Sequence, residues 1–296
     1  MMQIQNINFS IIIATFNRAG SLKKTVISVL EQDYQNFEII ISDDASTDGS
    51  KEIAEGFKDP RIIYIRNEKN SGLSVTRNSA LKKSNGDYLI VIDDDATLKK
   101  DFLGSLSRMI TDNNASVFCP QILDPVDNKP FIEFTSKTRG KYLGYLDFNC
   151  FRGGSHIFSR KVFEAVGYYD ERFGIGSKYP AAEESDYYFR IRKMGEKVLY
   201  CPELIAYHAR ENNSSDVKVY NYSYGIAAML VKNLISDPAH FLFYFFIILY
   251  RLTVSAVRAL QYKFFPKSIQ LKNNIYKYNF FLKGTVYGIL DYIRFK

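Results

Sequence analysis

The sequence predicts an α/β chain built on a mostly parallel, doubly wound sheet, with a helical segment at its C-terminal end. Three observations predict it. Over roughly the first 100 residues, short β-branched apolar runs alternate with stretches of helical periodicity, the pattern of strand–helix–strand units. The runs are apolar at both odd and even positions, as parallel strands are when helices cover both faces of the sheet. Three of them end in polar residues: Thr15 and Asn17, Asp43 and Asp44, and Asp93, Asp94 and Asp95.

In chain order, Phe9–Ala14 (FSIIIA) reads as a buried strand. Ser21–Gln32 carries Leu22, Val26, Val29 and Leu30 at helical spacing, with Ser21 as its N-cap. Phe37–Ser42 (FEIIIS) is a second strand and Ser50–Phe57 a short helix. Ile62–Arg66 is a third strand, Ser74–Ser84 a helix, and Tyr88–Ile92 (YLIVI) a fourth strand. The crossovers are expected to be right-handed. Residues 115–231 lose this strict alternation. Val117–Ile122, His156–Ser159 and Val198–Tyr200 read as strands, Arg160–Val166 as a helix ending at Gly167, and Phe189–Met194 as part of another helix. We divide the chain into 1–114, 115–231 as a second half of the same domain, and a tail at 232–296.

Length and composition set limits. With 296 residues, 46% apolar and 24% charged, the chain can bury a large core, which excludes intrinsic disorder and a disulfide scaffold. Cys119, Cys150 and Cys201 are widely spaced and read as reduced thiols of a cytosolic protein. The N-terminus lacks the charged-then-apolar pattern of a signal peptide. The net charge of +7 is unevenly placed: residues 1–231 hold 29 basic and 30 acidic side chains, whereas 232–296 hold 10 and 2. A neutral body argues against a broad nucleic-acid footprint. The tail also carries 16 of the 45 Phe and Tyr. Its most apolar stretch, Phe241–Tyr250 (FLFYFFIILY), is too short to span a bilayer, which takes about 20 residues. A basic, aromatic tail of this kind suits the plane of a membrane surface, or else a helical pair packed on the core.

Ligands of open parallel sheets bind beyond the carboxyl ends of the strands, where the three polar clusters fall. Asp93-Asp94-Asp95 places three mutually repelling carboxylates together, which a hard divalent ion such as Mg²⁺ or Mn²⁺ relieves. An acidic triplet alone is weakly specific, because solvated acidic turns are common. The chain has no GxSxG elbow, no assignable Cys/His pair and no P-loop. His156 and His240 lie in apolar surroundings, which argues against a histidine-based zinc site.

The segments SIIIATFNRAGSLKKTVISVLEQDYQNFEIIISDDASTDGS, NSGLSVTRNSAL and GDYLIVIDDDA, in this order and spacing, resemble the family 2 glycosyltransferases with the GT-A fold. The resemblance implies a Rossmann-like nucleotide-binding half over 1–114 and transfer of a sugar from a nucleotide-sugar with inversion at the anomeric carbon. It also implies a divalent metal, Mn²⁺ or Mg²⁺, on the diphosphate. Position by position, Thr15, Phe16 and Asn17 match the turn that cradles the base. Asp44 matches the acid on the uracil edge, with Asp43 beside it. Arg77 matches the basic residue near the diphosphate; without the resemblance it could be a surface ion pair of little worth. Asp93 and Asp95 bracket a DXD motif, with Asp95 the metal ligand and Asp93 or Asp94 facing the ribose or sugar.

A second block, GGSHIFSRKVFEAVGYYDERFGIGSKYPAAEESDYYFRIRKMG, resembles the acceptor half of the same family. Gly153, Gly154 and Ser155 match its small-residue turn. Glu183-Glu184-Ser185-Asp186 matches an acidic motif at a helix start whose second acid is the general base. That position is Glu184 here rather than aspartate, so Glu183 and Asp186 stay open as alternatives. His208 matches a further metal ligand. The implied partners are a nucleotide-sugar, a saccharide or lipid-linked saccharide acceptor, and the inner face of the cell membrane, with surface-polysaccharide assembly as the setting. A metal-dependent nucleotidyltransferase and a non-catalytic membrane-surface adaptor are the alternatives. Oligomeric state, donor sugar and linkage are not legible.

Overall fold

The computed structural model describes residues 6–113, 115–130, 142–144, 147, 151, 155–210, 215–237, 241–264 and 269–294. The chain forms two compact units, Met1–Tyr169 with Tyr187–Arg210, and Asp170–Asp186 with Glu211–Lys296.

The first unit carries β1 (Phe9–Thr15), α1 (Ala19–Leu30), β2 (Phe37–Asp43), α2 (Ser50–Gly56), β3 (Ile62–Arg66), α3 (Leu73–Leu81), β4 (Tyr88–Asp93) and β5 (Ala96–Leu98). It continues with α4 (Phe102–Asp112), β6 (Val117–Leu123), β7 (Ser155–Ser159), α5 (Arg160–Val166), most of α6 (Glu183–Lys193), and β8 (Val198–His208). The strand order is β3-β2-β1-β4-β7-β6-β8-β5. Strands β3 to β4 run parallel, as the alternation predicts. β7 runs antiparallel to both β4 and β6, and β5 runs antiparallel to β8 at the edge, so the sheet is mixed.

The period of two sorts the strand residues between two cores. Ile11, Ile13, Ile39, Ile41, Ile90 and Ile92 pack with Leu22, Val26 and Val29 of α1 and Phe102, Leu103 and Leu106 of α4. Ile12, Ile40, Leu89 and Val91 pack on the other face with α3, α5 and Tyr187, Tyr188 and Ile191 of α6. Cys201 belongs to the first core and Cys119 to the second, so the sheet separates these two thiols, neither of which is in a disulfide. Cys150 and His240 lie outside the described residues.

Two local expectations need correction. Helix α1 starts at Ala19, with Arg18 in the N-cap position; Ser21 lies inside the first turn and its hydroxyl donates to the Arg18 carbonyl at 3.1 Å. The orphan N–H of Ala19 instead donates to the Asp48 carboxylate at 2.9 Å, an acid placed where the helix dipole favours it. The strand expected at Val198–Tyr200 runs on to His208, passing Pro202 and Glu203 by a register shift opposite Pro120/Gln121.

The second unit contains α7 (Asp216–Ser236), α8 (Phe241–Phe264) and α9 (Ile269–Arg294). The tail boundary drawn at residue 232 falls inside α7. Helices α7 and α9 meet through glycines. A Cβ on Gly284 would lie 2.5 Å from the Tyr220 carbonyl oxygen, and one on Gly288 2.3 Å from that of Tyr224. Gly→Ala inside a helix ordinarily gains up to about 1 kcal/mol of propensity. At Gly288 the clash is with backbone that cannot swing aside, and overpacking costs about 1–3 kcal/mol. Gly288→Ala should therefore lower the melting temperature. Gly20→Ala in α1, where no atom lies within 4 Å of the added Cβ, should hold or raise it. Equal responses in a thermal scan would contradict the close packing of α7 on α9.

Candidate active site

The turns beyond β1, β2 and β4 are tied to one another by side chains. Asn17 adopts a left-handed φ of 53°; its N–H donates to Ser46 Oγ at 2.8 Å and its Oδ1 accepts from the Thr47 N–H at 2.7 Å. Thr15 is buried and donates to Asp94 Oδ2 at 2.7 Å, whereas Phe16 is exposed beside it. Fully buried Asp43 accepts from the Ser46 N–H, the Tyr64 hydroxyl and Arg66 Nη1, at 2.7, 2.7 and 2.8 Å. Burial and this bond push the Tyr64 hydroxyl up to about 12. Asp44 accepts from Asn67 Nδ2 and the N–H groups of Ser71 and Gly72 at 2.8–2.9 Å, which fixes the loop into α3.

The acidic triplet divides into three roles. Asp93 ends β4 and accepts from Arg77 Nη2 at 2.8 Å. Arg77 is 1% exposed and its guanidinium also lies over the Tyr169 ring, so the surface ion-pair alternative does not hold. Asp94, with Asp93 one of two residues expected to face a ribose or sugar, is buried and turned to Thr15, with Arg18 Nη1 at 3.4 Å. Burial pushes its carboxyl up to about 7, beyond what Thr15 and Arg18 pull back. Asp95 contacts Arg18 through Oδ2 and faces His208 through Oδ1.

His208 reaches this place because β8 extends to it: β5 and β8 pair with Ala96 opposite His208. Its Nε2 lies 3.0 Å from Asp95 Oδ1 and 3.9 Å from Asp93 Oδ2. Ring donation from Nδ1 to the Ala209 carbonyl, 3.0 Å away, leaves Nε2 as a lone pair. In that tautomer the lone pair meets a buried carboxylate oxygen that has no hydrogen-bond donor. Two acceptors in contact need a shared positive charge, either a ring proton or a cation. Burial lowers the His208 pKa, but the two carboxylates outweigh it and the net shift is upward. The ligand atoms of Asp93, Asp95 and His208 lie within 4.8 Å of one another. Two carboxylates and one imidazole suit Mn²⁺ and related divalent ions.

Glu183, Glu184 and Asp186 stand in the first turn of α6 and belong to the second unit. Ala182, just before them, is held at a φ of 74°, a conformation that costs a non-glycine residue about 1 kcal/mol or more. Glu183 is nearly buried, Glu184 half-buried and Asp186 1% exposed, its Oδ1 2.6 Å from Lys232 Nζ. Ser155 opens β7 in the first unit with a buried hydroxyl. Gly153 and Gly154 lie outside the described residues. Sequence reasoning missed Arg18, Arg66 and Lys232, because each takes its role from an acid far along the chain. Only the position of Arg18 directly after a strand-end turn marked it beforehand.

The family model described as "Glycosyl transferase family 2" matches residues 10–167. An Escherichia coli protein, UDP-Glc:alpha-D-GlcNAc-diphosphoundecaprenol beta-1,3-glucosyltransferase WfaP, is 46% identical over 86 residues, covering 29% of this chain and 34% of that protein. The glucosyl-dolichyl phosphate glucuronosyltransferase of Haloferax volcanii is 29% identical over 216 residues, covering 64% and 66%. The chain spans no more than about half the length of several curated relatives, 16% of one and 51% of another. In fold, the chain superposes on the mannosyltransferase PcManGT from Pyrobaculum calidifontis, solved with GDP-Man and Mn²⁺. That match has a TM-score of 0.67 at 17% identity and covers 96% of this chain and 88% of that one. The fold is thus that of the GT-A glycosyltransferases, and the match over more than half of its length places the chain in glycosyl transferase family 2.

Proposed function

We propose that the chain is a metal-dependent, inverting glycosyltransferase that moves a sugar from a UDP-sugar to a hydroxyl of a lipid-linked saccharide. The observation that carries this reading is the cluster of Asp93, Asp95 and His208 at the carboxyl end of β4. The printed activity of the E. coli relative, with its UDP-Glc donor and diphosphoundecaprenol-linked acceptor, supports the substrate class. Asp95, Asp93 and His208 would hold the ion, which supplies positive charge to the diphosphate as it leaves. Phe16, exposed at the strand-end turn, offers a face for the base, and Asp43 and Asp44 hold the turns around it. Arg77 orients Asp93 by donating to its carboxylate.

Glu184 is assigned as the base. It takes the proton of the acceptor hydroxyl, whose oxygen bonds to the anomeric carbon as the bond from that carbon to the diphosphate oxygen breaks. Attack from the opposite side inverts the centre. Helix geometry favours Glu184 over its neighbours: Glu183 and Asp186 are three residues apart and share a face, whereas Glu184 stands about 200° round the helix from Asp186. Asp186 is committed to Lys232.

Among the described residues no helix is long and apolar enough to cross a membrane. Helix α8 nevertheless exposes Leu242, Phe245, Phe246, Leu249, Tyr250 and Val257, a stripe at helical spacing. This stripe, with the basic charge of the tail, suits the interface plane of an anionic membrane. In flotation assays with phosphatidylglycerol vesicles, Leu242→Ser with Phe246→Ser should move the protein out of the lipid fraction; unchanged flotation would refute membrane docking through α8. The transfer reading is tested by incubating the chain with a panel of UDP-sugars and Mn²⁺ and measuring released UDP by mass spectrometry. Release from at least one donor, abolished by EDTA, is expected. No release from any donor would overturn it.

A further inference from the structure

We propose that Lys232 is a positioning residue, a largely shielded ammonium on α7 that fixes the Asp170–Ala182 segment and the first turn of α6, and with them Glu184. The inference rests on the assignment of Glu184 above. Lys232 Nζ lies 2.8 Å from Asp170 Oδ2 and 2.6 Å from Asp186 Oδ1. The three side chains are 15%, 16% and 1% exposed, so the network is largely shielded from water. One cation therefore binds both ends of the segment: Asp170 opens it and Asp186 closes it two residues past Glu184. Two carboxylates, one buried and one largely shielded, drawn to one point repel each other without that cation.

The contacts around this pair point the same way. The Lys232 ammonium sits 5.3 Å from the centre of the Phe173 ring, which stacks on Tyr179 at 5.1 Å. The Tyr179 N–H donates to the Arg172 carbonyl and the Gly174 N–H to the Tyr179 carbonyl, closing the segment into a compact loop. Tyr179 in turn meets Tyr224 of α7 and Tyr292 of α9 at 5.5 and 5.8 Å. Arg172 pairs with Asp170 and lies over Tyr292. Gly225 stands seven residues, two helical turns, before Lys232 on the same face of α7. It touches Ala181: a Cβ there would come within 2.8 Å of the Ala181 carbonyl oxygen. Helix α7 thus grips the segment at Ala181 and at Asp186, on either side of the strained Ala182 and of Glu184. The C-terminal helices are therefore part of the apparatus that places the base, beyond any role at a membrane.

The test compares Lys232→Met, Lys232→Arg and the charge-balanced double variant Lys232→Met with Asp186→Asn, each in the full chain. UDP binding with Mn²⁺ is read by calorimetry, amide hydrogen exchange by mass spectrometry, and turnover as UDP release from UDP-glucose, UDP-galactose and UDP-N-acetylglucosamine. Lys232→Met should leave the UDP affinity within about twofold while kcat falls on the order of tenfold to 100-fold, the loss typical of a misplaced group. Exchange across 170–186 should quicken while β1–β4 stay protected. Lys232→Arg should recover part of kcat. If Lys232→Met is too unstable to purify, the double variant is the test: it should fold and still show the lowered kcat and fast exchange at 170–186. Wild-type kcat, or unchanged exchange across 170–186, in a folded variant lacking Lys232 would overturn the proposal. Retained turnover in Glu184→Gln would instead defeat the assignment of the base.

Discussion

Asp95→Ala should abolish metal-dependent binding of the donor. Asp95 is the acid of the triplet that contacts both Arg18, through Oδ2, and His208, through Oδ1. Its carboxyl is held below the ordinary value: burial raises it, but His208 and Arg18 more than reverse that, so it is ionised at neutral pH. Removing it leaves Asp93, already paired with Arg77, and His208, whose ring nitrogen loses the oxygen it faces. The loss of one of three ligands should weaken Mn²⁺ binding on the order of 100-fold, about 3 kcal/mol. Titration of Mn²⁺ followed by its paramagnetic resonance checks this directly, without any substrate. Affinity within threefold of wild type would remove Asp95 from the metal site. Thermal stability is a control, since Asp94, not Asp95, carries the bonds to Thr15.

Glu184→Gln should give the second large effect and the opposite signature. Glutamine keeps the shape and the half-buried place of Glu184 but cannot accept the acceptor proton. The residues proposed to hold donor and metal belong to the first unit, so UDP affinity should hold within about twofold while transfer drops about 10²–10⁴-fold, the usual contribution of a general base. A fall in both affinity and rate would mean that the side chain supports the fold or the donor site. Full turnover would move the base to Glu183.

Much of this architecture is legible in the sequence, for physical reasons that also explain the gaps. The strands β1, β2 and β4 announce themselves because their central residues, Ile11–Ile13, Ile39–Ile41 and Leu89–Ile92, are apolar and buried on both faces of the sheet. Strand β8 is legible only to Tyr200, because Pro202 and Glu203 read as an end; the structure absorbs them in a register shift and continues to His208. Strand β5 is three residues long and too short to carry a period. Helix α4 offered Phe102, Leu103 and Leu106 at helical spacing and could have been read. The contacts of helix α7 with Ala181 and Asp186 are not legible, because they are set by Gly225 and Lys232, which carry no apolar signal. The acids of the site follow from the family pattern, but the cations that hold them do not. Arg18 meets Asp95, and Lys232 meets Asp186, across long stretches of chain that no local pattern encodes.

The measurement that bears most directly on the whole account is calorimetric titration of UDP into the unmodified chain, once with Mn²⁺ and once with EDTA. Saturable binding in Mn²⁺ that weakens at least tenfold in EDTA is the predicted result. Equal affinity under both conditions, or binding under neither, would contradict a metal-assisted nucleotide-sugar site at Asp93, Asp95 and His208.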